Sequence, residues 1–193
     1  MKQTFSPEES IRLISEMIAK AKTGIADNGH LYLVWGWTVF FCGLIHFALQ
    51  YFYNYPYIIW IATIFVLAYS IYYVRKQKSV RQAKTHYDEI ITGIWVVFVL
   101  LLVLQYFLLI HEQAYHKIIP GLLLLYGMPL MLMGILFKHN PLITGAIACW
   151  LLAVISVFFK TEYHPLFLSV SMLIAWIRPG YLIKKEVKTI ELG

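Results

Sequence analysis

Charge and cysteine are both scarce in this chain of 193 residues, and each scarcity excludes something. Charged residues make up 13%, against about 25% in an ordinary soluble domain. A disordered chain is excluded too, because that state needs low hydrophobicity and high net charge. Two cysteines cannot build a disulfide scaffold or a thiolate zinc cluster. No glycine-rich nucleotide loop, flavin or haem signature, or nucleophilic triad pattern occurs, so no catalytic residue and no cofactor is expected. The run His111-Glu112-Gln113-Ala114-Tyr115-His116 is not a metalloprotease helix. Its histidines are five apart, about 140° around a helix, and no metal is assigned. No carboxylate lies deep within an apolar run, as ion pumps usually require.

Apolar residues are abundant, at 60%, with 17% aromatic and a mean hydropathy of +0.68. Crossing the ~30 Å core of a bilayer takes about 20 apolar residues at 1.5 Å each. Six stretches approach that length: Leu31–Tyr51, Tyr57–Val74, Ile90–Ile110, Ile118–Phe137, Leu142–Phe159 and Leu166–Ile177. The sixth reaches Ile183 if Arg178 snorkels to the headgroups. Short turns between them force antiparallel neighbours. The runs are continuous rather than alternating, which excludes a transmembrane barrel. The expected fold is an all-α polytopic membrane bundle of six helices over residues 31–183. An arm of residues 1–30 precedes it and a tail of residues 184–193 follows.

Lysine and arginine set the orientation. Lys2, Arg12, Lys20 and Lys22 lie in the arm, and Arg75, Lys76, Lys78, Arg81 and Lys84 follow span two. Lys138 follows span four, and Arg178, Lys184, Lys185 and Lys188 close the chain. Only Lys117 and Lys160 fall on the opposite side. Both termini are therefore expected in the cytoplasm, with the protein in a bacterial inner membrane. The net charge of +6 serves topology and anionic lipid headgroups rather than nucleic acid, since no folded reading module accompanies it.

The arm reads as an amphipathic interfacial helix. Ser6 is an N-cap, Pro7 suits the first helical position, and Glu9 completes a capping box. Ile11, Ile14, Ile18, Ala21 and Ile25 recur at three- and four-residue steps. It can rest on the membrane or dock a partner or a second copy. An apolar run that starts only at Leu31 is too late for a cleaved signal, so span one is expected to remain as an anchor.

Glycines suggest close packing. Gly29, Gly36 and Gly43 share nearly one face, and Gly145, Cys149 and Ala153 form a similar stripe in span five. Trp35-Gly36 with Gly43 is echoed by Tyr126-Gly127 with Gly134, as in inverted-repeat transporters or by simple recurrence. Pro129 within span four predicts a kink.

Polar groups within or beside the apolar runs are the remaining clue. His46, Gln50 and Gln105 fall in the outer half, and His111, Glu112, His116, Glu162 and His164 lie in the outer turns. They can tie helices together, or form a polar-solute or proton-coupled site opening outward.

Tyr126-Gly127 through Gly134, Pro141-Leu142, Cys149-Trp150 and Ile177-Arg178-Pro179-Gly180 carry a resemblance, together with the opening from Asn28-Gly29 to Trp35-Gly36-Trp37. The chain resembles small six-span membrane proteins of unassigned function found in Bacteroidota. That resemblance implies an inner-membrane address and no activity. The functional expectation is a non-enzymatic membrane module that self-associates or binds a membrane partner, with the lipid bilayer as its surroundings. The alternative is a small transporter or channel near His46, Gln50 and Gln105.

Overall fold

The computed structural model describes residues 29–53, 56–80 and 86–191. The expected amphipathic helix at Ser6–Ala26 lies outside the described residues. Every described element is a helix, and no strand occurs among the described residues. In chain order they are α1 (Gly29–Leu49), a 3-10 turn at Pro56–Trp60 running into α2 (Ile61–Val80), and α3 (His86–His111). Next come α4 (Ile118–Phe137), α5 (Asn140–Ser156), α6 (His164–Met172) and α7 (Arg178–Glu191). A π turn at Leu173–Ile177 joins α6 to α7, so the two form one rod.

Five helical segments are long and apolar enough to cross a membrane: Gly29–Leu49, Ile58–Lys76, Glu89–His111, Tyr115–Phe137 and Thr161–Glu186. The fifth expected stretch is shorter than its apolar run. Its helix stops at Ser156, because the amides of Phe158 and Phe159 turn back onto Ile155 and Ser156. Within the expected tail from residue 184, α7 continues to Glu191.

Two turns close on non-glycine residues in the left-handed region, Gln113 at φ 53° and Lys138 at φ 52°. At each, the next amide reaches back five residues, Ala114 to Leu109 and His139 to Gly134. This is the Schellman way of satisfying the last carbonyls of a helix. The chain then reverses within a few residues. Pro141 starts α5, where its missing N–H costs nothing.

The glycines set the packing. Along α1, Gly29 faces Gly180 and Ile183, Gly36 faces Trp176 and Ile177, and Gly43 faces Pro165 and Ser169. The three positions seven apart thus form the seam on which the α6–α7 rod lies antiparallel. Gly145 of α5 meets the backbone of Ala175 on the rod's opposite side. In α4, Gly127 receives the Trp150 indole, and Gly134 receives Leu142 and Ile143. The echoed pairs therefore serve different contacts: those of α1 seat the last rod, those of α4 seat the next helix.

A π turn occurs where the sequence gives no sign of one. α4 runs as one α-helix from Ile118 to Phe137 with Pro129 inside it. The π turn lies just before Pro179, which is fully buried. In a regular α-helix the Pro179 ring would press on the Ala175 carbonyl. A wider turn across 173–177 relieves that clash and lets the rod continue.

The core is built mostly by α1, α4, α5 and the rod. Val39, Leu123, Leu130, Met133, Leu142, Leu168, Met172 and Trp176 are fully buried. Trp176 is the hub of an aromatic cluster. Its ring centroid lies 5.3 Å from Tyr32, 5.7 Å from Tyr126 and 5.9 Å from Trp95. By contrast, α2 and α3 lie at the edge and expose most of their apolar side chains.

Candidate functional site

Gln50 and His164 sit where helices turn at the end of the bundle away from Gly29 and Glu191, Gln105 lies inside α3 six residues before its end, and His46 lies one turn deeper than Gln50 in α1. His46 is buried, and its Nδ1 accepts a 2.8 Å hydrogen bond from the Trp60 indole N–H. That bond ties α1 to the 3-10 turn opening α2. It also leaves the ring proton on Nε2. Gln50 donates from Nε2 to the Glu162 carbonyl at 2.9 Å, joining α1 to the turn before α6. Gln105 donates to the Ile118 carbonyl at 3.1 Å, across the α3–α4 turn. Its amide lies over Gly121, where any side chain would displace it.

His164 is buried at the start of α6. Its Nε2–H points at the carbonyls of Ser156 and Phe159, at 3.0 and 3.3 Å. The first belongs to the last residue of α5 and the second to the turn that follows it. His164 therefore closes the α5–α6 turn from inside. His111, Glu112, His116 and Glu162 are exposed on their turns, and His111 stacks on Phe107.

The eight expected residues thus share one end of the bundle but do not converge. Each of the four that make hydrogen bonds spends a polar atom on a backbone carbonyl or an indole of a neighbouring element. Among the described residues no group of three or more His, Cys, Asp and Glu side chains is placed to hold a metal. Cys42 and Cys149 are buried and separate thiols. Cys42 donates weakly to the Ile59 carbonyl at 3.6 Å, another tie between α1 and α2.

Several polar side chains matter here that the sequence reading passed over. Ser169 shares its hydroxyl hydrogen between the Phe40 and Pro165 carbonyls, both at 3.0 Å, beside Gly43. His30 meets the Tyr69 hydroxyl at 3.0 Å and lies against Tyr73, closing α1 on α2 at the opposite end. At that same end His139 is buried between α4 and α5, its Nε2 3.5 Å from the Glu186 carboxylate of α7. Spacing marks none of these in advance. His30 and His139 stand next to turn residues and read as loop polarity, and Ser169 is one hydroxyl in an apolar helix.

The buried aromatic hub holds polar atoms that are not satisfied. Tyr32 Oη and Trp176 Nε1 are both buried without a hydrogen-bond partner. Each such group costs about 1–3 kcal/mol. Dense ring packing around Trp176 holds them there. No protein-family model, curated protein or solved structure matches the chain.

Proposed function

We propose that this chain is an integral protein of the bacterial inner membrane with six crossings and both termini in the cytoplasm. We further propose that it acts as a non-enzymatic module pairing with a second copy of itself. The five long apolar helices support the membrane address. For the sixth crossing, α5 has 17 residues, about 26 Å at 1.5 Å rise, close to the ~30 Å core. It packs most extensively on α4 and also on the rod, both of which are long enough to span. The orientation rests on the basic residues of the sequence. Arg178, Lys184 and Lys185 at the terminal end are exposed, as headgroup contacts need to be.

Pairing rests on one observation. The glycine faces of α1 and α5 are used up inside the chain, but α3 presents a seam that is exposed among the described residues. Val96, Leu100, Val103, Phe107 and Ile110 alternate at four- and three-residue steps and are all more than half exposed. Such a 3.5-residue repeat is the pattern for knobs-into-holes packing between two helices. Two copies inserted in the same sense would meet about a twofold axis along this seam.

Cysteine at Val103 tests it. On a twofold axis the two Cβ atoms fall within the ~3.5–4.5 Å of a disulfide. Mild oxidation in membranes should give a covalent dimer for Val103→Cys and none for Phe65→Cys, on exposed α2. Cys42 and Cys149 are buried and do not compete. Equal cross-linking at both positions, or none at Val103, would refute the pairing.

A further inference from the structure

At the end of the bundle that carries Gly29 and Glu191, α1, α2 and α7 meet around His30. Its Nε2 lies 3.0 Å from the Tyr69 hydroxyl of α2, and its ring centroid is 5.2 Å from that of Tyr73. The Lys184 ammonium of α7 stands close enough to act on the ring by its charge. The backbone puts it there, since the adjacent Ile183 faces Gly29. With His30 donating to the Tyr69 oxygen, the tyrosine keeps its hydroxyl hydrogen for a further acceptor.

α2 adds an ordered face beside this cluster. Ile61, Phe65, Tyr69, Tyr72 and Lys76 recur at three- and four-residue steps, so they form one stripe, and all five are exposed. Toward the terminal end the stripe passes from hydrocarbon to hydroxyl-bearing rings and then to an ammonium. That is the polarity order of a phospholipid from acyl chain to headgroup. Ile61 to Tyr72 is eleven residues, about 16 Å of helix. This is close to half of a ~30 Å bilayer core, the depth of one leaflet.

The charge here has one sign. Neither α1 nor α2 contains an aspartate or glutamate. On α7, Glu186 is about 200° around the helix from Lys184 and turns to His139. Among the described residues neither Lys76 nor Lys184 is paired with a carboxylate. A zwitterionic headgroup would bring its own ammonium into these cations, whereas a headgroup of net negative charge would not. The opposite end differs, because the exposed Lys117 and Lys160 share their turns with Glu112 and Glu162.

We propose that the ends of α1, α2 and α7 bind one anionic glycerophospholipid. Its phosphodiester lies between Lys184, Lys76 and the Tyr69 hydroxyl, and an acyl chain runs along Phe65 and Ile61. This rests on the membrane reading above, which puts these helix ends at the headgroups of the cytoplasmic leaflet. Basic clefts between helices on that side suit anionic headgroups.

Native mass spectrometry of the full chain, extracted in mild detergent from vesicles of equal phosphatidylglycerol, phosphatidylethanolamine and phosphatidylcholine, tests the proposal. One phosphatidylglycerol should be retained in preference to either zwitterionic lipid. Lys184→Ala and Lys76→Ala should each lower its retention about five-fold, the equivalent of ~1 kcal/mol per basic residue at a charged surface. Lys160→Ala, at the opposite end, should leave it unchanged. Excess glycerol 3-phosphate should not displace the lipid, because the acyl chain is held along α2. In a chain that requires detergent, four results would each overturn the site alone: no retained lipid, equal retention of the three lipids, equal losses in Lys160→Ala and Lys184→Ala, or displacement by glycerol 3-phosphate. Chain recovered from buffer without detergent would instead refute the membrane reading.

Discussion

Gly145→Ala and Gly93→Ala form a pair that tests the packing directly. Both glycines lie inside apolar helices, α5 and α3. A Cβ on Gly145 would stand 2.8 Å from Ala175 Cα, 3.2 Å from its carbonyl oxygen and 3.3 Å from its Cβ. Two of those three atoms are backbone, so no rotamer change can relieve the contact. A Cβ on Gly93 meets nothing within 4 Å. Each substitution gains the same helix propensity, up to ~1 kcal/mol, so the difference between them isolates the clash. Overpacking of this kind costs about 1–3 kcal/mol. At about 2–4 °C per kcal/mol for a chain of this size, the two melting temperatures should differ by about 2–12 °C. Thermal unfolding in dilute detergent, followed by circular dichroism, reads this. Adding Ala175→Gly should recover little, because it removes only the 3.3 Å contact and leaves the 2.8 Å one. Equal melting temperatures for the two single variants, or full rescue by Ala175→Gly, would refute the assignment of Gly145 as the seat of the rod.

The same assay reads several further positions. Lys138→Gly should stabilise by about 1 kcal/mol, since glycine occupies the left-handed region without the steric penalty that lysine bears there. Trp60→Phe should destabilise by about 1–2 kcal/mol, the loss of a 2.8 Å bond that leaves the His46 Nδ1 acceptor buried. Gly43→Ala should cost more than Gly29→Ala: the first meets the Pro165 carbonyl at 2.8 Å, the second the movable Ile183 methyl at 3.0 Å. Glu186→Gln should change little, because the carboxylate is well exposed and stands 3.5 Å from His139.

Much of the architecture was legible because helices long and apolar enough to cross a membrane appear in the sequence as continuous apolar runs. The apolar runs at Ile118–Phe137 and Ile90–Ile110 become α4 and nearly all of α3. Gly29, Gly36 and Gly43 were readable as one face because seven residues are close to two helical turns. What lay on that face was not readable, since the partner helix is more than 120 residues away and a small side chain specifies closeness without naming a neighbour. Proline is ambiguous for a related reason. Pro129 and Pro179 look alike in sequence, yet only Pro179 follows a π turn, where Ala175 is also pinned against Gly145. A glycine contact that holds a backbone in place and a proline that needs extra room two residues farther on can be satisfied together by one wide turn. Neither signal predicts that turn by itself.

The polar residues show where site prediction from sequence runs out. His46, Gln50, Gln105 and His164 stand out in the sequence because polar groups are costly within apolar helices. Cost alone does not separate a ligand site from a tie. The separation comes from partners, and here they are Trp60, the carbonyls of Glu162 and Ile118, and those of Ser156 and Phe159. Short turns between apolar helices expose backbone carbonyls that need donors, and a glutamine or histidine one turn away supplies them. A bundle with turns this tight therefore recruits its polar side chains to its ends before any is free for a guest.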